Sequence, residues 1–301
     1  MDSATPSTRT DERTGGVETM ERLDITNLTI TYSSESRQQT AVDDANLTVE
    51  RGDLIALVGE SGAGKSTLAR AVAGIHEPAT IQSGSILLDD RDLTTATTEE
   101  WRAIRGSRVG FAFQDPTTAF DPIYTVGEQL VEAIRAGGIP VTDSSLLESV
   151  SHRFRRRSFP RHRDRAIALL EEVGIDDPEA CLDAYPSELS GGQCQRAFLA
   201  TALAGEPDIL VADEPASGLD ATTQARVLGL LEDLSETRDL GVLLVTHDLG
   251  LASEHCDNVT VLADGRTVDS GPVEELLSKP DHTALLKMRD GSRIIAFWRV
   301  S

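Results

Sequence analysis

Leu54, Ile55, Ala56, Leu57 and Val58 run straight into Gly59, Glu60, Ser61, Gly62, Ala63, Gly64, Lys65, Ser66 and Thr67. Five consecutive apolar residues predict a central strand covered on both faces, because a half-buried strand would alternate. The glycines after it let successive backbone N–H groups converge on an anion, and a helix from Ser66 to about Ala73 adds the positive end of its dipole. Strand, G-x-x-x-x-G-K-[ST] loop and helix in that order form a phosphate cradle. In such a cradle Lys65 neutralises charge and the Ser66 hydroxyl is free for a divalent cation. Read without the strand, the same string is a glycine turn before a helix with a surface lysine.

A second apolar run, Ile209 to Ala212, ends on Asp213 and Glu214. Ligands of parallel sheets bind at the carboxyl ends of strands, and two acids buried there are costly without a cation. In phosphoryl transfer Asp213 would face Mg²⁺ through water and Glu214 would polarise the attacking water. Solvated acids at a strand end are the plain alternative in so acidic a chain. Ser190, Gly191 and Gly192 precede the helical pattern Ala197, Leu199, Ala200, Ala202 and Leu203. A serine cap with bare glycine N–H groups is a further anion site, with a dipole worth roughly 0.3–1 kcal/mol. Alone, it is an ordinary N-cap.

Working outward, Leu23, Ile25, Leu28, Ile30 and Tyr32, then Val42, Leu47 and Val49, predict antiparallel strands with one buried face. Residues from about Val126 to Gly205 read as helices, with stripes at Val126, Leu130 and Ile134 and at Ile167, Leu170 and Val173. Strands return at Ile209 to Ala212, Val242 to Thr246 and Val259 to Ala263, with helical stretches between them, which implies parallel crossovers. Asp264 and Gly265 predict a hairpin turn. The expected organisation is a tail over 1–21, one α/β domain over 22–277 with a helical subdomain at about 115–205, and a C-terminal tail over 278–301.

Asp and Glu number 50 against 28 Lys and Arg, a net charge of -22, and lysine occurs only at 65, 279 and 287. Such a chain repels itself in dilute buffer, whereas at molar salt the screening length falls to roughly 3 Å. A salt-adapted protein is expected, with an ordinary acidic cytosolic protein as the plain alternative. Cys181, Cys194 and Cys256 show no metal-ligand spacing and no even framework, which fits a reducing compartment. No stretch approaches the roughly 18 apolar residues needed to cross a bilayer, so a membrane role must come through a partner. Against the acidic background, arginines at 153, 155, 156, 157, 161, 163 and 165 form a basic cluster, suited either to an anionic partner or to pairing with local acids.

Together these strings resemble the ATP-binding subunit of an ATP-binding cassette (ABC) transporter. Leu189, Ser190, Gly191, Gly192 and Gln193 match the family's signature sequence. Gln114 after Phe111 and Phe113 matches the Q-loop, Asp220 after Ser217, Gly218 and Leu219 the D-loop, and His247 the switch histidine. Tyr32 is the candidate aromatic for stacking on adenine. Singly, Gln114, Tyr32 and His247 also read as a loop amide, a core aromatic and a capping histidine. The resemblance covers about Leu23 to Leu277. It implies a P-loop NTPase cassette with a mainly parallel sheet, an N-terminal antiparallel β subdomain and a helical signature subdomain, using ATP and Mg²⁺. It assigns Glu214, His247 and Gln114 to catalysis and Ser66, Gln114 and Asp213 to the metal. Nucleotide contacts fall to Tyr32, to Gly59 through Thr67, to Ser190 through Gln193, and to Asp220. Because the signature serves the nucleotide held by another subunit, a dimer is implied.

Phe113, Gln114, Asp115 and Pro116, then Asp121 and Pro122, Tyr124 to Leu130, and Tyr185 to Leu189 resemble the dipeptide, oligopeptide and nickel importer subgroup. That implies a second ATPase subunit, identical or similar, under integral membrane permease subunits fed by an external solute-binding protein. The chain would sit peripherally at the cytoplasmic membrane face, with no nucleic acid. Departures are Cys194, where a larger or basic residue is usual, Ala216 to Gly218 before the D-loop, and the ending after Leu277. Soluble cassette ATPases of repair or translation share the motifs, but they carry long coiled-coil insertions or tandem cassettes, and this sequence has neither.

Overall fold

The computed structural model describes residues 22–34, 37–76, 78–137 and 160–278. The expected tails, apart from Ser278, and the arginines at 153, 155, 156 and 157 lie outside the described residues. Strands β1 (Arg22–Ser34) and β2 (Arg37–Glu50) pair antiparallel, with Leu23 opposite Val49, Ile30 opposite Val42 and Tyr32 opposite Gln39. Ile25 and Leu28 are three residues apart and would point to opposite faces of a regular strand. Register shifts between Ile25 and Leu28 and again before Ile30 return all three to the buried side, with Asn27 and Asp44 at φ 50° and 62°.

β3 (Leu54–Val58) leads through the glycine loop to α1 (Lys65–Val72). β4 (Ala79–Leu88), β5 (Arg91–Asp92), α2 (Thr98–Ile104) and β6 (Val109–Ala112) follow. Sequence patterning singled out none of these four: β4 alternates poorly, and β6 has only four residues. The start of α2 is held by a reciprocal capping box between Thr97 and Glu100. Its Trp101 lies so close over Gly74 that a Cβ there would meet the indole at 2.3 Å.

The helical region contains α3 (Pro116–Ala119), α4 (Val126–Ala136), α5 (Pro160–Glu172), α6 (Pro178–Asp183) and α7 (Gly191–Ala202), with α4 packed on α5, α6 and α7. The α4 stripe is buried as expected. Along α5 and just past its end the core row is Ala166, Leu169, Leu170 and Val173, and Ile167 is only partly buried, because the buried face is centred on the 166/169/170/173 row and Ile167 lies at its margin. Then come β7 (Ile209–Asp213), α8 (Ala221–Arg238), β8 (Gly241–Thr246), α9 (Leu249–His255), β9 (Asn258–Ala263), β10 (Arg266–Pro272) and α10 (Val273–Ser278).

Among the described residues the strands form two sheets, ordered β2-β1-β4-β5 and β10-β9-β3-β8-β7-β6. The second is parallel from β9 to β6, with β10 antiparallel at its edge. Alternation along its buried strands divides the core. Ala56, Val58, Leu210, Ala212, Val242 and Leu244 face the helical region and α8. Ile55, Leu57, Val211, Leu243 and Val245 face α1 and the antiparallel sheet. This two-sided burial is why these strands read as unbroken apolar runs. Arg108 joins Asp89 of the β4–β5 turn (2.7 Å) to Asp208 ahead of β7, and Arg51 reaches Asp208 (3.3 Å) and Asp239 (3.2 Å), tying the two sheets at their base.

Candidate active site

The glycine loop leaves β3 with Gly62 at φ 84° and Gly64 at φ 102°, which L side chains rarely adopt. Gly64 is the N-cap of α1, and among the described residues no side chain caps the first N–H groups of that helix, which suits them to an anion. Lys65 is only 6% exposed, and its Nζ donates to Gly59 O (2.9 Å) and Glu60 O (3.1 Å), so the loop is folded around its own ammonium. Burial lowers the pKa of Lys65, and the carboxylates of Glu214 and Asp213 oppose that shift.

Asp213, the last residue of β7, is 2% exposed and accepts a hydrogen bond from Ser66 Oγ (3.0 Å). Desolvation raises its pKa, against the pull of Ser66, Arg70 and Lys65. Glu214 turns the chain out of the sheet at φ 47°, and its N–H donates to Val245 O (2.9 Å). A non-glycine residue held there costs about 1 kcal/mol or more, and such strain concentrates at functional sites. The carboxylate of Glu214 accepts from Gln114 Nε2 (3.0 Å) at one oxygen and meets His247 Nδ1 (3.0 Å) at the other. Gln114, Glu214 and His247 leave the C-terminal ends of β6, β7 and β8, three neighbouring parallel strands, which is how residues up to 133 positions apart share one carboxylate.

These side chains wall a cavity of about 780 Å³ that also exposes Ser61, Gly62, Gly64, Lys65, Ser66 and Thr67. Tyr32 is half-buried beside it, and its hydroxyl is 3.2 Å from Thr67 Oγ1. Gln39, Thr40, Ala41, Ser217, Asp264 and Gly265 also line the cavity. They were not among the expected site residues. Asp264 and Gly265 were legible as a turn, but nothing local to the turn indicated what it would touch.

The signature residues lie apart from this wall. Ser190 and Gln193 form a reciprocal capping box at the start of α7, Ser190 Oγ accepting from Gln193 N (3.3 Å) and Gln193 Oε1 from Ser190 N (3.0 Å). Asp220 caps α8 through Thr222 N (3.1 Å), Thr223 N (3.0 Å) and Thr223 Oγ1 (2.6 Å), bonds that hold its carboxyl below the usual range. Gly192 packs on Thr223, and a Cβ there would sit 2.4 Å from its methyl group. The two helix starts therefore abut. Cys194 lies buried beneath them in the core. Of the arginine cluster, Arg163 pairs with Asp183 (3.8 Å) and Arg165 with Glu206 (2.6 Å).

Residues 42–217, more than half of the chain, match the family model for the ABC transporter. The chain belongs to the ABC transporter family. Over 261 residues this ATPase cassette is 38% identical to the oligopeptide transport ATP-binding protein OppD of Lactococcus lactis subsp. cremoris, covering 86% of this chain and 72% of that one. It is 37% identical over 262 residues to the oligopeptide transport ATP-binding protein AppD of Bacillus subtilis, covering 86% and 75%. Among solved structures, it superposes on the dimeric ATP-binding cassette MJ0796 bound to ADP and Pi with a TM-score of 0.67 at 27% identity, covering 83% and 98%. It also superposes on cbiO1 of Clostridium perfringens, part of the cbiONQ transporter complex, with a TM-score of 0.68 at 25% identity, covering 92% and 97%. Among the described residues no helix of the cassette is long and apolar enough to cross a membrane.

Proposed function

We propose that this cassette is the ATP-hydrolysing subunit of a membrane importer of oligopeptides, working as one of two cassettes beneath permease subunits. The observation that carries the catalytic reading is the placement of Glu214. Its carboxylate is oriented by Gln114 and His247 at the rim of a cavity that also presents Lys65 and Ser66. In that position Glu214 polarises a water for attack on the γ-phosphorus while the bond to the ADP oxygen breaks, and His247 keeps the carboxylate and water aligned. Lys65 and the open amides at the start of α1 neutralise the phosphate oxygens, and Tyr32 stacks on adenine.

Ser66 Oγ, the Asp213 carboxylate and the Gln114 amide oxygen are hard donors suited to Mg²⁺, and the buried carboxylate of Asp213 has one hydroxyl partner. Among the described residues no three His, Cys, Asp or Glu side chains cluster as a metal site, so in this reading phosphate and water would supply most of the ion's ligands. When bound, the ion would offset charge on the β and γ phosphates.

Ser190 to Gln193 and Asp220 form an exposed polar surface away from the cavity, and in this reading they meet the nucleotide held by the partner cassette. ATP favours the closed dimer because only that state adds the signature contacts, and hydrolysis removes the preference. The names of the relatives favour peptides as the solute and an external peptide-binding protein as its supplier. The site would lie at the cytoplasmic membrane face through the permeases. The test is to purify the native complex and measure phosphate release with and without peptide-loaded binding protein. Co-purifying permeases and peptide-stimulated hydrolysis are expected; ATPase activity in a chain that brings down no membrane subunit would instead favour a soluble cassette.

A further inference from the structure

β2 and β10 belong to different sheets, yet a seam of polar contacts joins them beside the glycine loop. Asp43 N donates to Gly265 O (2.8 Å), and Gly265 N donates to Ala63 O (3.0 Å) inside the loop. Arg266 Nε and Nη2 both reach Asp43 Oδ2, at 3.0 and 2.5 Å. Thr267 Oγ1 donates to Asn46 O (2.8 Å) and accepts from Asn46 N (2.9 Å). The circuit closes on the other side, where the loop backbone at Gly64 presses on β2 so tightly that a Cβ would lie 2.3 Å from Ala41 O. Further along β2, Gln39 is the cross-strand partner of Tyr32.

The loop that holds phosphate and the sheet that carries Tyr32 are thus connected through the β9–β10 turn, besides the direct contacts of Gly64 with Ala41 and of the Tyr32 hydroxyl with Thr67 Oγ1 (3.2 Å). We infer that this seam sets the separation between Tyr32 and the glycine loop, making Thr267, Arg266 and Asp43 positioning residues for the nucleotide. The inference rests on the reading that Tyr32 stacks on adenine while the loop binds phosphate. A ligand spanning both parts needs their separation to be fixed, whereas a ligand touching the loop alone does not. Loosening the seam must therefore weaken ATP more than a bare polyphosphate. A purely structural role would weaken both alike.

The experiment compares ATP with inorganic tripolyphosphate, each with Mg²⁺, by calorimetry on the full chain. Thr267→Val removes the hydroxyl and leaves the Asn46 N–H without its acceptor, and it should weaken ATP about five- to tenfold while changing tripolyphosphate by less than about twofold. Thr267→Ser, which keeps the hydroxyl, should restore wild-type affinity. If Thr267→Val does not fold, Arg266→Gln at the exposed end of the seam should weaken ATP about two- to fivefold with the same selectivity. Parallel loss for both ligands, or no loss for ATP, overturns the inference while leaving the ATPase reading intact. A wild-type chain that binds tripolyphosphate but gains nothing from the adenosine overturns the reading of Tyr32, and the inference with it.

Discussion

Glu214→Gln separates the chemistry of this site from its stability. The side chain keeps its shape, and the backbone at φ 47° and the bond from Glu214 N to Val245 O are untouched. What changes is the two 3.0 Å contacts to Gln114 Nε2 and His247 Nδ1. A glutamine has one acceptor end and one donor end. It can satisfy both partners only by accepting from Gln114 and donating to His247 Nδ1, with the imidazole proton on Nε2. Bonds to a charged group are worth about 1.5–3 kcal/mol and neutral ones about 0.5–1.5, so the exchange costs about 2–3 kcal/mol across the pair. Relief of Asp213, whose charge Glu214 disfavours, offsets part of this, leaving a melting shift of a few degrees. Loss of a positioned base costs about 10²- to 10⁴-fold, or about 2.7–5.4 kcal/mol in the barrier. Turnover should therefore collapse while ATP affinity stays within about threefold of wild type and ATP-dependent dimers accumulate. Phosphate release at saturating ATP, calorimetry and sedimentation read the three quantities. A turnover loss under about tenfold, or one accounted for by weaker ATP binding, would refute the assignment of Glu214.

Asp213→Asn should stabilise the nucleotide-free chain by about 0.5–2 kcal/mol at pH 7 while abolishing Mg²⁺-dependent turnover. Burial raises the folded pKa of Asp213 above 3.8, so the ionised side chain carries a penalty that asparagine lacks, and the advantage of asparagine must fade as pH falls through the raised value toward 3.8. Melting curves across that range decide it, and an asparagine variant less stable at pH 7 would contradict the burial argument. Gly192→Ala should cost about 1–3 kcal/mol through its clash with the Thr223 methyl and weaken ATP-driven dimerisation; Thr223→Ser in the same chain should recover most of the stability, and no recovery would locate the cost elsewhere. With a net charge of -22, the unfolding midpoint should be higher in molar KCl than in dilute buffer, and a salt-independent midpoint would remove the expectation of salt adaptation.

Local pattern alone determined much of this protein. The apolar run Leu54 to Val58, the glycines after it and the acids closing Ile209 to Ala212 marked the strand ends that gather at the candidate site, because double-sided burial and positive φ leave marks on neighbouring residues. Asp264 and Gly265 announced their turn for the same reason. Other features left weaker marks: β4 is interrupted at Gly84, where a Cβ would strike Asn27 O at 2.4 Å, and in β1, which was legible as a strand, the register shifts that return Ile25, Leu28 and Ile30 to one face were not.

Other features exist only in the tertiary structure. Ser66 meets Asp213 across 147 residues and Arg266 meets Asp43 across 223, and the neighbouring order of β6, β7 and β8 brings Gln114 and His247 to opposite oxygens of Glu214. The period of a strand or helix states which face must be covered; which distant segment covers it depends on how all the faces pack at once, and that choice made one site from scattered residues.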